Sequence, residues 1–321
     1  MQLGVLPLRI ALQMRLNTMP QKEEIALWFT ALQKQICTAL EQLDSKEQFS
    51  TENWTREGGG GGCSRVIQNG SVIEKGGVNF SEVFGLLPPV VARAFKLPEG
   101  MHFFATGVSI VLHPCNPHMP IIHMNVRYFE IADGVYWFGG GIDLTPHYII
   151  AEDARYFHQS LQTVCNKHNP QYYPRFKQWA DNYFYLAHRN ETRGIGGIFF
   201  DQLSENDQQS KQACFNFVKD TGNLFSPLYT YFVNQHANRP FTPNQKQWQL
   251  IRRSRYVEFN LVYDKGTKFG LDTNGRTESI LMSMPPQASW PYNYQPPAGS
   301  PEAQTLQLLK KDIDWVNYPR S

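Results

Sequence analysis

Three polar residues that could do chemistry recur at every second position of one short segment. His123, Asn125 and Arg127 alternate with apolar residues, and alternate side chains of a β-strand share one face. An imidazole can exchange a proton near neutral pH, and a guanidinium can hold a carboxylate through two hydrogen bonds. The pattern therefore predicts an acid–base and carboxylate-binding face, but it is equally typical of an ordinary solvent-facing sheet. The apolar residues between them are Ile122, Met124, Val126 and Tyr128.

The run that precedes this segment could bring two more polar groups to the same face. Between positions 107 and 113 the pattern repeats, because Val108, Ile110 and Leu112 alternate with Ser109, Val111 and His113. If the two runs pair as neighbouring strands, Ser109 and His113 join His123 and Arg127. A cluster on one face favours a functional role over a solvated surface.

Three consecutive glycines at positions 139–141 follow an aromatic run and precede Asp143. Glycines at this place allow a ligand or another chain to approach the backbone closely. They fit neither a dinucleotide-binding nor a phosphate-binding loop pattern. Asp143 could present one carboxylate at the end of a strand, and the alternative is a turn-forming aspartate.

Positive charge is concentrated between residues 252 and 276, with six basic residues against three acidic ones. That excess suits a polyanionic ligand, a solvated face or a contact between chains. The tripeptide Asn274-Gly275-Arg276 looks like a turn that could offer N–H groups and a guanidinium to a carboxylate.

The nine histidines raise the question of a metal site. None of them lies in a motif with the spacing of a known metal site. Four could still converge in three dimensions, and the alternative is that each has its own structural role. These four are His113, His123, His158 and His188.

Helical and strand-like patterns are mixed along the chain, without a repeated βαβ spacing. This mixture predicts an α+β fold with a mainly antiparallel sheet and one domain over residues 21–321. Asn69-Gly70 predicts a hairpin with a primed turn. Helices are predicted over about 20–43, 151–165, 175–190, 210–236 and from Pro301 onward, and strands over 107–112, 121–130, 135–138 and 256–263.

Composition limits the classes of protein that remain. Of 321 residues, 41% are hydrophobic and 13% aromatic, with 30 basic residues against 28 acidic ones. These values argue against disorder, and no apolar run is long enough to span a membrane. A formal charge of +2 gives no overall attraction to nucleic acid. We therefore expect neither a nucleic-acid partner nor an integral membrane segment.

Cysteine usage and the N-terminus bear on location. Five scattered cysteines without a CxxC motif favour a reducing compartment, so we expect a cytoplasmic protein. Residues 1–20 form an N-terminal extension that we expect to be poorly ordered. Its two arginines and lack of acidic residues leave organellar targeting as the alternative.

Seven blocks of the sequence closely resemble the oxygen-dependent coproporphyrinogen III oxidase family. They include His123-Met-Asn-Val-Arg-Tyr-Phe and Phe138-Gly-Gly-Gly-Ile-Asp-Leu-Thr-Pro, and several exceed eight residues. They follow the order of the family from about residue 22 to 316. The blocks are 58–79, 113–117, 123–129, 138–146, 183–197, 255–262 and 275–286.

The resemblance implies an oxidoreductase of haem (porphyrin) biosynthesis that uses O2 as acceptor. Two propionates of coproporphyrinogen III would be oxidatively decarboxylated to vinyls, giving protoporphyrinogen IX. The family is a homodimer with a large antiparallel sheet flanked by helices, here expected on both faces, and residues 256–291 would contain the dimer contact. O2 is the co-substrate, and no cofactor is strictly required. A divalent metal has nevertheless been assigned to positions that match His113, His123, His158 and His188.

The resemblance also assigns roles to individual residues. His123 matches a proposed proton donor, and Asp143 matches a carboxylate proposed to engage the pyrrole N–H groups. Together with Arg127 they form the expected catalytic set. Most of the family has glycine where Asn274 stands. The expected substrate contacts are Ser109, Asn125, Val126, Arg127, Asn274, Gly275 and Arg276.

These assignments fit the chemistry of the expected substrate. It carries four carboxylates that arginines can bind, and a reduced tetrapyrrole is electron-rich enough to react with O2 itself. Our hypothesis is that Asp143 orients or deprotonates a pyrrole N–H before oxygen adds to the ring. A peroxide-like species would then remove a propionate β-hydrogen. The rival interpretations are a metal-dependent oxygenase or hydrolase and a tetrapyrrole carrier without turnover.

Overall fold

The computed structural model describes residues 19–89, 92, 93, 98, 100–131, 134–205, 210–272 and 275–319. Its strands are β1 (Ser50–Thr55), β2 (Gly60–Gln68), β3 (Ile73–Leu86), β4 (His102–Pro114), β5 (Ile121–Ile131), β6 (Val135–Thr145), β7 (Tyr185–Leu186), β8 (Glu191–Thr192) and β9 (Gly197–Leu203). Seven of them form one antiparallel sheet in the order β1-β2-β3-β4-β5-β6-β9. The other two, β7 and β8, pair as a short ribbon.

Eight helices surround this sheet in the described part of the chain. They are α1 (Lys22–Asp44), α2 (Ala151–His168), α3 (Tyr172–Tyr183), α4 (Lys211–His236), α5 (Pro243–Val262), α6 (Lys265–Asp272), α7 (Thr277–Leu281) and α8 (Pro301–Leu308). No helix among the described residues is long and apolar enough to cross a membrane.

The alternation of strand residues gives the sheet two different faces. One face, which we call the core face, carries apolar residues that are fully buried under α1 and α4. Phe138 of β6, for example, stacks on Phe215 of α4 with ring centroids 5.8 Å apart. Gln33 of α1 donates a 2.7 Å hydrogen bond to the Val78 carbonyl of β3. Burial of this apolar face is the main source of the stability of such a fold.

The opposite face, which we call the polar face, carries Ser109, His123 and Arg127. Helices cover part of it as well. Tyr256 of α5 packs on apolar residues of β4 and β5, and the Ser279 carbonyl of α7 accepts a 3.0 Å hydrogen bond from the sheet. Helices therefore lie on both faces, and the predicted α+β class with a large antiparallel sheet is confirmed.

The hairpin predicted around position 69 is present, but its turn differs from the prediction. Four residues, 69–72, join β2 to β3, and Asn69 has a φ of 62°. The Asp44 carboxylate at the end of α1 accepts backbone N–H groups of Ser71, Val72 and Ile73. Burial opposes ionisation of Asp44, yet these hydrogen bonds hold its pKa below the usual range. A side chain distant in sequence thus replaces the primed turn.

The predicted strand 256–263 is wrong, because positions 256–262 belong to helix α5. The helix begins with a capping box between Thr242 and Gln245 and runs to position 262. Tyr256, Phe259 and Asn260 are buried at the i, i+3, i+4 spacing of a helix. Aromatic and β-branched residues in this run favour a strand locally, and packing on the sheet overrides that preference.

Two predicted helices are shorter than expected. The helix predicted to reach position 190 ends at Tyr183, after which Tyr185 pairs with Thr192 in the β7–β8 ribbon. The last helix ends at Leu308, although Leu309 and Ile313 still pack on the core without helical structure. The division of the chain at residue 20 stays a prediction, because residues 1–18 lie outside the described residues.

Candidate active site

Polar side chains form a row straight across the polar face. The strand register places one polar residue of each of five neighbouring strands side by side. At a strand spacing of roughly 4.8 Å this row extends about 19 Å. We call it the polar row. Its members are Glu52, Ser64, Asn79, Ser109 and Asn125.

His123 and Asp143 lie beside the polar row as direct cross-strand partners on β5 and β6. Nδ1 of His123 donates a 2.7 Å hydrogen bond to Oδ1 of Asp143. A carboxylate oxygen can only accept, so the proton sits on Nδ1 and the neutral ring offers Nε2 as a base. The His123 side chain is 22% exposed, so this imidazole is the accessible member of the pair.

Asp143 is held from its other side by a buried arginine. Nη2 of Arg193 donates a 2.7 Å hydrogen bond to Oδ2 of Asp143, and Nη1 donates at 2.8 Å to Asn260 of α5. Both carboxylate oxygens are thus occupied, and the Asp143 side chain is only 3% exposed. The resemblance implies a contact between Asp143 and pyrrole N–H groups; each oxygen retains a lone pair for it, but little of the carboxylate is open on the polar face.

The charges of this buried pair are balanced. Burial opposes ionisation of Asp143, but Arg193 and the His123 hydrogen bond hold the pKa of the carboxyl below its usual range. The Arg193 guanidinium lies within 4.3–4.7 Å of the ring centroids of Phe184, Tyr256 and Phe259. Such cation–π contacts stabilise a desolvated guanidinium. The lowered pKa favours the ionised form of Asp143, which orients His123 through their hydrogen bond.

Arg127 occupies an open part of the polar face next to the polar row. Its Nη1 donates to Oδ1 of Asn125 at 3.3 Å, and Nη2 forms a 3.0 Å ion pair with Asp201 of β9. Its cross-strand neighbours are Gly107 and Gly139, which have no side chains to cover it. Since 40% of the Arg127 side chain is exposed, the guanidinium can meet a carboxylate from solution.

Arg276 lies at the β1–β2 end of the polar row, immediately before α7. It forms an ion pair with Glu52, and Nη1 donates to the hydroxyls of Ser64 and Ser279 at 3.3 Å each. The backbone of Gly275 donates a 2.7 Å hydrogen bond to the Gly270 carbonyl, which ties the turn to α6. Arg276 is thus a second cation on the same face as Arg127.

Of the expected substrate contacts, one lies on the other face of the sheet and one lies outside the described residues. Val126 points to the core face and is fully buried there, so its side chain cannot touch a ligand on the polar face. Its backbone belongs to the sheet ladder. Asn274 lies outside the described residues. Ser109, Asn125, Arg127 and Arg276 do come together along the polar row.

The four histidines considered for a metal do not converge. Nε2 of His113 bonds the Ser283 carbonyl, and His158 is buried in the core between the Tyr173 hydroxyl and the Ile195 carbonyl. His188 bonds Glu258 near the surface. In the described part of the chain, no group of three or more His, Cys, Asp or Glu side chains could hold a metal ion. The donor set does not fit a divalent metal, because each ring already has its own partners.

Two arginines of the basic cluster between residues 252 and 276 have structural roles. Arg252 and Arg253 are buried, and they form ion pairs with Glu191 at 3.0 Å and with Glu74 at 2.6 Å. Burial with a matched carboxylate removes these two guanidinium groups from any ligand on the surface. Arg276 is the member of the cluster that reaches the polar row.

Arg193 and Asp201 belong to the site but were not predicted from the sequence. Arg193 lies in one of the blocks that resemble the family, and an arginine among glycines there was a usable signal. Asp201 ends an apolar strand run, where an acidic residue gives no particular indication. Arg193 directly follows β8, and Asp201 lies on β9. No local sequence pattern predicts that these strands lie near β5 and β6.

Comparison with known proteins agrees with this geometry. The sequence profile described as coproporphyrinogen III oxidase matches residues 24–315. A relative from Drosophila melanogaster, named oxygen-dependent coproporphyrinogen-III oxidase, is 50% identical over 298 residues, covering 89% of this chain and 76% of that protein. The matched region includes the polar row, both arginines and the His123–Asp143 pair. The chain belongs to the coproporphyrinogen III oxidase family.

Proposed function

We propose that this protein catalyses the oxygen-dependent oxidative decarboxylation of two propionates of coproporphyrinogen III to vinyls. The product is protoporphyrinogen IX, an intermediate of haem biosynthesis. The observation that carries the proposal is the joint placement of Arg127, Arg276 and the His123–Asp143 pair on one polar face. The 50% identical fly relative bears the name of this activity.

The two arginines suit a substrate with several carboxylates. Arg127 lies on β5 and Arg276 contacts β2, three strand spacings away, or about 14 Å at roughly 4.8 Å per strand. A ring with propionates on its rim can therefore engage both cations at once. The hydroxyls and amides of the polar row lie between them and can bond the remaining polar groups.

His123 is the group that moves protons. Asp143 holds its ring in one tautomer and stabilises the imidazolium, as a buried carboxylate does for a catalytic histidine. Nε2, the ring nitrogen not bonded to Asp143, is then the atom that takes or returns a proton. We assign Asp143 to positioning His123 and not to direct contact with the pyrrole.

Each of the two decarboxylations balances with one molecule of O2 as the oxidant. A propionate loses a β-hydrogen with two electrons and then carbon dioxide, which leaves a vinyl group. Molecular oxygen accepts the two electrons together with two protons and becomes hydrogen peroxide. The electron-rich tetrapyrrole activates its own β-hydrogen, so the reaction is proposed to need no resident metal or organic cofactor.

The test is turnover of freshly reduced coproporphyrinogen III by metal-stripped protein, in air and without oxygen. Carbon dioxide and the fluorescence of the reoxidised product are measured. Product formed in air alone supports the proposal. Activity that returns only after addition of one divalent ion contradicts the metal-free mechanism. Bound substrate recovered unchanged in air contradicts catalysis altogether.

We further propose that the chain forms a homodimer through residues 256–291. Several large apolar side chains of this span are exposed, among them Leu261 and Val262 of α5 and Trp290, at 47%, 47% and 52%. Burying such residues against a second copy would be favourable. Light scattering should give twice the chain mass for wild type and less for Leu261→Asp. Leu27→Asp, which changes an exposed leucine of α1, is the control and should leave the mass unchanged.

The cytoplasm is the proposed location. All five cysteines are free thiols, which suits a reducing compartment. Imaging of the full chain with a C-terminal fluorescent tag tests this, and an organellar pattern would contradict it.

A further inference from the structure

The last strand of the sheet contains a β-bulge where it passes the glycines of β6. Between its pairings with positions 140 and 138 of β6, strand β9 advances from 200 to 203, one residue more than its neighbour. Asp201 and Gln202 therefore both face Gly139. The backbone of Gln202 has a φ of 52°, in the left-handed region that residues other than glycine seldom adopt. Bulges re-aim side chains and are frequent beside active sites.

Asp201 lies on the polar face beside Arg127, two residues after Phe199 and just before the extra residue of the bulge. Oδ1 of Asp201 is buried 3.0 Å from Nη2 of Arg127, and 27% of the Asp201 side chain remains exposed. A Cβ atom on residue 139 would lie 2.6 Å from Oδ1 of Asp201 and 2.8 Å from Nε of Arg127. Glycine at position 139 thus provides the space that the ion pair occupies.

A carboxylate at this place is unexpected in a site for a tetracarboxylate. The Asp201 carboxylate and the carboxylates of the ligand repel each other in a partly desolvated cleft, and this repulsion lowers the affinity for the ligand. The carboxylate is useful only if the ligand also presents hydrogen-bond donors to it. If the proposed function is correct, the ligand is a porphyrinogen, whose four pyrrole N–H groups are such donors.

Asp143 is poorly placed for these donors, because His123 and Arg193 each hold one of its oxygens and only 3% of its side chain is exposed. Asp201 differs in this respect. Its Oδ2 has no hydrogen-bond partner among the described residues, and its side chain is partly exposed on the ligand side.

We propose that Asp201 accepts the pyrrole N–H groups of the reduced tetrapyrrole, while Arg127 beside it binds a propionate of the same molecule. The pair would make the site selective for the reduced ring. Pyrroles of a porphyrinogen are joined by saturated carbons and can tilt their N–H groups toward one face. An oxidised porphyrin is flat, with its two remaining N–H groups held inside the ring plane.

The experiment measures the binding of coproporphyrinogen III and of coproporphyrin III to the full chain without oxygen. Quenching of tryptophan fluorescence reports the binding of each ligand. Asp201→Asn keeps the size of the side chain and removes its charge. We expect the variant to bind the reduced ligand about tenfold more weakly or worse, as for loss of hydrogen bonds to a charged group. Binding of the oxidised ligand should be unchanged or tighter. An equal change for both ligands would overturn the proposal and reduce Asp201 to a counter-ion of Arg127.

Two further variants keep this test decisive. Glu52→Gln is the matched control, because Glu52 is also an acid paired with an arginine of the site. This variant should change the affinity for the reduced and the oxidised ligand by the same factor. Gly139→Ala keeps both charges but displaces the Asp201 carboxylate and the Arg127 guanidinium together, so it should weaken both ligands, and the reduced one more. Wild-type protein that neither binds nor converts coproporphyrinogen III would contradict the proposed function. Normal wild-type turnover with an unselective Asp201→Asn would contradict this inference alone.

Discussion

His123 and Asp143 face each other across neighbouring strands, and the 2.7 Å hydrogen bond between them joins an accessible imidazole to a nearly enclosed carboxylate. Each strand supplies one partner, so the geometry depends on strand register and not on a flexible loop. A slip of either strand by one residue would turn its own partner, His123 or Asp143, to the core face and break the pair.

Asp143→Asn tests this relationship. The amide cannot provide the negative charge that orients and stabilises a protonated His123, so we expect kcat to fall by about 10²–10⁴-fold with little change in KM. Steady-state turnover of coproporphyrinogen III in air measures both constants. Asp220→Asn is the control, because Asp220 forms a similar 2.7 Å contact with His168 away from the polar face. Near-normal turnover by a correctly folded Asp143→Asn protein would refute the role.

Arg127→Lys tests the binding of a propionate. An ammonium keeps the charge but cannot reproduce the planar fork of a guanidinium, so we expect KM to rise about tenfold with a smaller effect on kcat. The exposed Arg239 offers a control in Arg239→Lys, which should leave KM unchanged. If KM and kcat of the Arg127 variant both equal those of wild type, the assignment is wrong.

Arg193→Met tests the buried ion pair. Removing the guanidinium leaves the Asp143 charge buried and unmatched, which typically destabilises a protein by about 3–5 kcal/mol. The double variant Arg193→Met/Asp143→Asn removes both charges and should be less destabilised than the sum of the single variants. Urea unfolding of the four proteins gives the coupling free energy. Strict additivity would mean that the two residues do not interact.

Glu258 provides a prediction on pH and stability. Burial opposes its ionisation, but hydrogen bonds from Arg189 and His188, with the nearby Arg255, lower its pKa to about 2 from a usual 4.5. A depressed folded-state pKa contributes stability that is fully present above the unfolded pKa and is lost as pH falls through the folded one. The stability difference between wild type and Glu258→Gln should therefore be constant from pH 7 to 5 and shrink between about 4.5 and 2.

The measurement is urea unfolding at several pH values and one protein concentration. Glu57→Gln, at an exposed glutamate, is the control and should show a much smaller difference at every pH. A difference for Glu258→Gln that stays constant down to pH 2 would contradict the linkage.

Sequence patterns predicted the polar face well because strand alternation depends only on neighbouring residues. They placed Ser109, His123 and Arg127 together, and the register agrees. They could not show that Asp143 is enclosed, since its enclosure depends on Arg193, which arrives from another ribbon. Asp201 was missed for a similar reason, because the pairing of β9 with β6 joins segments that are distant in sequence and no local pattern shows it.

The same limit explains the wrong element at 256–263. Tyr256 and Phe259 are residue types that favour strands when judged alone. Their place in α5 follows from the N-cap at Thr242, 14 and 17 residues upstream, and from contacts of Tyr256 with β4 and β5. Helices and strands that are encoded by neighbouring residues were predicted correctly, whereas those that depend on contacts between distant residues were not.

The sheet order has a consequence for how the site is assembled as the chain is made. Strands β1 to β6 are each paired with their neighbours in sequence, so this meander can form from residues 50–145 through short-range contacts. Arg193 and Asp201 are translated only after this meander. Until then, Asp143 lacks its guanidinium and Arg127 lacks its carboxylate. The charges of Asp143 and Arg127 are therefore neutralised only after residues 193 and 201 have been made, and in a nascent chain that ends before residue 193 both lack these partners.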